Sequence, residues 1–82
     1  MNPEGMEPGT PEDLAELAEM TLRALAASRD PAAFGHLLRL TEVVGDCIAE
    51  AARTLANESS WSGVADIAGT TRQAAWARWR AH

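Results

Sequence analysis

Residues 61–79 read WSGVADIAGTTRQAAWARW. The two serines before this stretch can cap a short helix over 61–68, because a serine hydroxyl accepts a hydrogen bond from a free N–H of the first turn. Gly69 then ends the helix, since glycine readily adopts the left-handed conformation that closes helix C-termini. We expect the following side chains of this helix to face the core: Val64, Ile67 and Ala68.

A second short helix is predicted directly after this glycine. Thr70 is followed three residues later by Gln73, which is the spacing of a capping box, and the helix should reach Arg80. Ala75 and Trp79 are four residues apart and therefore share one face of this helix. Trp61 and Trp79 are both interpreted as core residues. Two short helices joined by three residues around a glycine form the layout called helix-turn-helix.

Two longer helices are predicted upstream, and each begins with a capping residue followed by proline. The first starts at Thr10-Pro11 and runs through about Arg29, and the second starts at Asp30-Pro31 and runs to about Asn57. Residues 1–9 contain two prolines and two glycines and are predicted to be a disordered leader. Valine and isoleucine are too scattered to form strands. The predicted fold class is all-α: a four-helix domain over 10–82, with a long second helix and a C-terminal helix-turn-helix at 59–82.

The long second helix carries a broad apolar stripe. Its members are Leu37, Val44, Ile48, Ala51 and Leu55, with Thr41 in register, widened by Phe34, Leu38, Leu40, Val43, Cys47 and Ala52. A chain of 82 residues supplies few partners for such a surface. We therefore expect the helices over residues 10–57 to form the core and the dimer contact, and we favour a homodimer over a monomeric bundle. We interpret Cys47 as a small buried residue and His36 as a partly buried packing residue.

Charge is divided unevenly along the chain. Residues 1–50 carry ten acidic residues against three arginines, a balance of −7, whereas residues 51–82 carry two acidic residues against four arginines, a balance of +2. The second part therefore suits a nucleic-acid partner despite the net charge of −5. The same net charge disfavours a general nucleoid protein, because sequence-independent binding depends on phosphate neutralisation.

Several classes of protein are not expected from this composition. One cysteine and two distant histidines predict no metal site and no cofactor. No apolar run approaches the roughly 20 residues of a membrane span, so we expect a cytoplasmic protein, nucleoid-associated when bound to DNA. An enzyme is not expected, because the chain has no nucleophile with a nearby base, no paired carboxylates in an apolar setting and no phosphate-cradling glycine loop. No small-molecule substrate is evident.

Residues 61–79 resemble the helix-turn-helix DNA-binding superfamily. That family places a small residue four positions before the turn glycine, where this chain has Ala65, with apolar residues around the contact. Residues 69–75 are similar to the turn and first recognition-helix residues of phage-repressor and sigma-factor-type domains. Where the family usually has an aliphatic residue, this chain has Arg78 followed by Trp79, and we expect Trp79 to replace it, a variant associated with small actinobacterial regulators.

The resemblance implies that the first turn of the recognition helix enters the major groove. Arg72, Gln73 and Ala77 would then face bases, since arginine pairs with guanine, glutamine pairs with adenine, and alanine contacts a thymine methyl. Phosphate contacts are implied for Ser60 or Ser62, Thr71, Arg78 and Arg80. Trp76 is a further candidate at the DNA edge, although we expect it to pack beside Trp79.

The sequence therefore predicts a small homodimeric transcriptional regulator that binds specific sites on double-stranded DNA. The alternative is a protein-interaction module, such as an antitoxin or an anti-sigma-like factor. In that case the acidic N-terminal helices would bind a basic protein partner.

Overall fold

The computed structural model describes residues 9–81, and helices account for all of their regular secondary structure. The helices in chain order are α1 (Pro11–Ala27), α2 (Pro31–Glu58), α3 (Trp61–Ala68) and α4 (Arg72–Trp79). The predicted all-α, four-helix fold class is confirmed. The predicted leader at 1–9 lies outside the described residues except for Gly9. None of the described helices combines the length and the apolar run that a membrane span requires.

The chain divides into two compact units, with the boundary between Arg39 and Leu40. The first unit contains α1, which begins as predicted, because Thr10 Oγ1 accepts a hydrogen bond of 3.2 Å from the Asp13 N–H. The helix ends two residues before the predicted Arg29. Ser28 is extended there, and its Oγ accepts a hydrogen bond of 3.1 Å from the Asp30 N–H, which turns the chain toward the next helix.

The start of α2 is also as predicted. Asp30 Oδ1 accepts a hydrogen bond of 2.9 Å from the Ala32 N–H, and the Asp30 carbonyl accepts one of 2.9 Å from the Ala33 N–H. Pro31 occupies the first helical position, where a missing N–H costs nothing. The helix ends at Glu58, one residue beyond the predicted end.

Small side chains make up the buried core. Among residues 9–81 the buried side chains are Ala33, Ala49, Ala52, Val64, Ala65 and Ala75. Large apolar side chains remain between 37% and 77% exposed, and they include Leu14, Leu17, Met20, Phe34, Leu38, Val43, Val44, Ile48, Leu55, Ile67 and Trp76. The described part of a single chain therefore leaves most of its large apolar side chains in contact with solvent.

Two predictions of burial on α2 are wrong. Cys47 is exposed because it lies two residues from the buried Ala49, which places the two side chains about 200° apart around the helix. His36 is also exposed. A helical side chain leans over the preceding turn, where the residues before His36 are Ala32 and Ala33, and alanine is too short to cover an imidazole.

The second unit contains α3, whose bounds match the prediction. Ser60 Oγ accepts a hydrogen bond of 3.0 Å from the Gly63 N–H and caps the first turn. Gly69 ends the helix in the left-handed conformation, with φ 73° and ψ 36°. A Cβ added at Gly69 would meet no atom within 4 Å, so only the backbone conformation restricts this position.

We expect Gly69→Ala to lower the free energy of unfolding by about 1 kcal/mol, because alanine is strained in the left-handed region. Gly69→Asn is the matched control, since asparagine tolerates that conformation, and it should cost less. Urea unfolding followed by circular dichroism at one fixed protein concentration measures both. Equal losses for the two variants would contradict this account.

Candidate nucleic-acid interface

Buried residues of α2, α3 and α4 form one cluster in the second unit. Its members are Ala52, Val64, Ala65 and Ala75. Ala65 is 3% exposed and Ala75 is fully buried, so short side chains occupy the region where α3 packs against α4. Ala65, four positions before Gly69, is therefore buried in this contact region.

Trp61 and Trp79 pack against this cluster and are partly buried. Both are therefore core residues, as predicted, and Trp79 lies on the same face of α4 as Ala75. On α3, by contrast, only Val64 of the predicted inward-facing residues is buried. Ile67 is 77% exposed, because it lies about 200° around the helix from Ala65, and Ala68 is also exposed.

The cap of α4 differs from the predicted capping box. The N-cap is Thr71, whose Oγ1 accepts a hydrogen bond of 3.1 Å from the Ala74 N–H. Thr70 instead belongs to the end of α3, because its N–H donates a hydrogen bond of 3.0 Å to the Ala65 carbonyl. As a result α4 starts at Arg72, and Gln73 lies at its second position rather than its third.

The C-terminal end of α4 is held by a residue that the sequence analysis did not identify. Arg53 Nη1 donates a hydrogen bond of 3.2 Å to the Trp79 carbonyl. A cation at this position also interacts favourably with the negative end of the helix dipole. Nothing in the local sequence pairs residues 26 positions apart, so this contact follows only from the fold.

The remaining surface of α4 is exposed and carries both polar and apolar side chains. Arg72, Gln73 and Trp76 line a shallow cleft of about 360 Å³, and Ala77 is exposed on the same helix. Trp76 is 43% exposed and is not part of the core cluster, so the packing expected for it is not observed. The structure instead places Trp76 with the two residues predicted to read bases.

Tryptophan rings order the two arginines near the end of α4. The Arg80 guanidinium carbon lies 4.2 Å from the centroid of the Trp76 ring, and that of Arg78 lies 5.2 Å from the Trp79 ring. Such cation–π contacts restrain the arginine side chains. The N–H donors lie in the plane of the guanidinium group, so stacking on a ring does not block them. Both arginines are exposed and can still donate to an anion.

Two of the hydroxyl groups predicted to contact phosphates, those of Ser60 and Thr71, cap helices. Ser60 Oγ and Thr71 Oγ1 each accept a backbone N–H, at 3.0 Å and 3.1 Å. A hydroxyl that accepts one hydrogen bond still has its own proton to donate. Ser60 and Thr71 are exposed, so each can cap its helix and also donate to a phosphate oxygen. Ser62 is exposed as well, and its hydroxyl can donate in the same way.

The structure brings together part of the predicted site. Arg72, Gln73 and Trp76 share one cleft, and Arg80 joins them through Trp76. Arg78 lies instead beside Trp79. Among residues 9–81, no group of three or more histidine, cysteine, aspartate or glutamate side chains is arranged to hold a metal ion.

No protein-family model, curated protein or solved structure matches this chain.

The packing of α4 can be tested with two leucine substitutions at adjacent positions. Ala75→Leu inserts a large side chain where the native one is fully buried, and we expect it to lower the free energy of unfolding by about 1–3 kcal/mol. Ala74→Leu is the control, because Ala74 is exposed, and it should change stability by less than about 0.5 kcal/mol. Chemical denaturation gives both values. If both variants unfold at the same midpoint, α4 does not pack through Ala75.

Proposed function

We propose that this protein is a transcriptional regulator that binds specific double-stranded DNA sites by placing α4 in the major groove. The observation that carries the proposal is that α4 is anchored in the core cluster and still exposes an arginine and a glutamine in one cleft. Ala75 is buried in the core cluster and Trp79 packs against it, while Arg72, Gln73 and Trp76 share an exposed cleft. Side chains supported in this way have a defined direction, which base recognition requires.

The residue types on the exposed side suit direct base readout. Arg72 can donate two hydrogen bonds to guanine, Gln73 can bond adenine through both amide atoms, and Ala77 can contact a thymine methyl. An α-helix with its side chains is roughly 10–12 Å in diameter, so α4 can enter a major groove about 12 Å wide. Trp76 adds an apolar surface beside Arg72 and Gln73, suited to the same methyl groups.

Phosphate contacts come from side chains at the ends of the short helices. We assign them to Ser60, Thr71, Arg78 and Arg80, all of which are exposed. Contacts of this kind position the protein on the duplex and carry little sequence information. The −7 balance of residues 1–50 opposes non-specific attraction to DNA, so a larger share of the affinity has to come from base contacts.

We further propose that the regulator is a homodimer in the cytoplasm. Two copies of α4 related by a twofold axis would read an inverted repeat with half-sites one helical turn, or a multiple of it, apart. The exposed large apolar side chains of α2 support association.

A protein-interaction module remains the second candidate, and one observation favours it. No residue of α1 is buried, and Leu14, Leu17 and Met20 are each more than half exposed. Acidic residues share this helix, which suits a partner with a basic rim and an apolar groove. This role is compatible with DNA binding by α4.

The proposal predicts that Arg72→Ala combined with Gln73→Ala abolishes sequence recognition without unfolding the protein. We would select bound duplexes from a randomised library at near-physiological salt and measure the affinity of each variant for the selected site. The double variant should bind that site at least about 30-fold more weakly, because each of the two bidentate base contacts contributes roughly 1–3 kcal/mol.

The matched control is Arg39→Ala combined with Asn57→Ala. It removes one guanidinium and one amide from exposed positions on α2, so it changes net charge by the same amount and should keep the selected site. The proposal is wrong if the folded wild-type protein enriches no sequence, or if both double variants lose affinity equally.

A further inference from the structure

Next to the core cluster, the second unit contains an uncovered apolar cleft of about 190 Å³. Only apolar side chains of α2, α3 and α4 line it. We use the term α2–α3 face for the exposed residues along and beside this cleft: Val44, Ile48, Ala51, Leu55, Ile67 and Ala68. Their exposure is large for such side chains, since Ile67 is 77% exposed and Ile48 is 48% exposed.

The α2 residues of this face have the spacing of a helix-pairing seam. Val44, Ile48, Ala51 and Leu55 follow one another at intervals of four, three and four residues. Apolar residues at these intervals insert into the holes of a facing helix with the same pattern. Every copy of this chain carries such a helix, so a second copy offers a matching surface.

Charge also favours a second copy at this position. The acidic residues of α2 in this unit are Glu42, Asp46, Glu50 and Glu58. At about 100° per residue the first three lie between 120° and 200° around the helix from Ile48, whereas Glu58, the last residue of the helix, lies about 80° from it. The flanks nearer the seam are Gly45 and Cys47, which are uncharged. Between Val44 and Leu55 two identical seams can therefore meet without like-charge repulsion, whereas a basic protein partner would gain no ion pair along this stretch.

The alanine-rich core is the third argument. A small domain that buries only short side chains in isolation needs additional apolar burial, and oligomerisation is one of the usual sources. A twofold interface uses the same patch on both subunits, so one self-complementary face is sufficient.

We infer that the α2–α3 face is the docking site for a second copy of this chain, with the two α2 seams packed together and Ile67 of each copy covering the apolar cleft region of the other. The inference rests on the homodimer of the proposed function and names its surface. Because α3 packs against α4, docking through α3 fixes the separation of the two recognition helices.

The experiment measures self-association of the full chain without DNA, by sedimentation equilibrium. Wild-type protein should be a dimer, and Ile67→Glu should raise the dimer dissociation constant at least 10-fold, because a charge would be buried in the interface. In a single copy this side chain is mostly exposed, so the substitution leaves α3 intact. Asn57→Glu is the control, since it adds the same charge to the far side of α2 and should leave dissociation unchanged.

A crosslinking measurement covers the case in which Ile67→Glu fails to fold. In a Cys47→Ala background, Ala51→Cys lies on the seam and should give covalent dimers with a short bifunctional maleimide, whereas Asn57→Cys should not. A monomeric wild-type protein at about 100 µM overturns the inference, as does a dimer that is unaffected by Ile67→Glu or is not crosslinked through position 51.

Failure of this inference is distinguishable from failure of DNA recognition. If the protein is a monomer that still enriches a single half-site, the docking inference is wrong and the proposal that α4 recognises DNA bases is unaffected. A dimer through the α2–α3 face that enriches no sequence would disprove the DNA-binding proposal and leave the surface intact.

Discussion

The close packing of α3 against α4 determines how the C-terminal unit is arranged. Ala65 and Ala75 lie in the buried cluster between these helices, and neither side chain extends beyond Cβ. This allows the backbones to approach closely, and the turn at Gly69 is short enough to keep them together. The direction of every side chain on α4 follows from this packing, since burial of Ala75 and Trp79 leaves Arg72, Gln73 and Trp76 on the solvent side.

Helix boundaries were predictable because they are set by local chemistry. Thr10, Ser60 and Gly69 act within three or four residues of their own positions, and each was identified from the sequence. The cap of α4 was placed one residue too early. Thr70 and Thr71 are equivalent in the sequence, and only the bond from the Thr70 N–H to the Ala65 carbonyl decides between them.

Burial was less predictable than secondary structure because it depends on tertiary neighbours. Ile67 and Cys47 were expected inside from their residue types, yet both are exposed. The same limit applies to the candidate site. Arg72 and Gln73 could be identified as a pair from the sequence, whereas the place of Trp76 beside them and its contact with Arg80 required the fold.

The small core and the proposed DNA reading are physically connected. A unit that buries mainly alanine gains little stability from its own packing, so in the proposed homodimer folding, association and DNA binding are linked by mass action. Each α4 offers only a few side chains for the proposed base contacts, and two copies held at a fixed separation would double that number without a second association cost. The proposed homodimer would give the uncovered α2–α3 face and the short α4 a common physical explanation, since each would be one half of a twofold assembly.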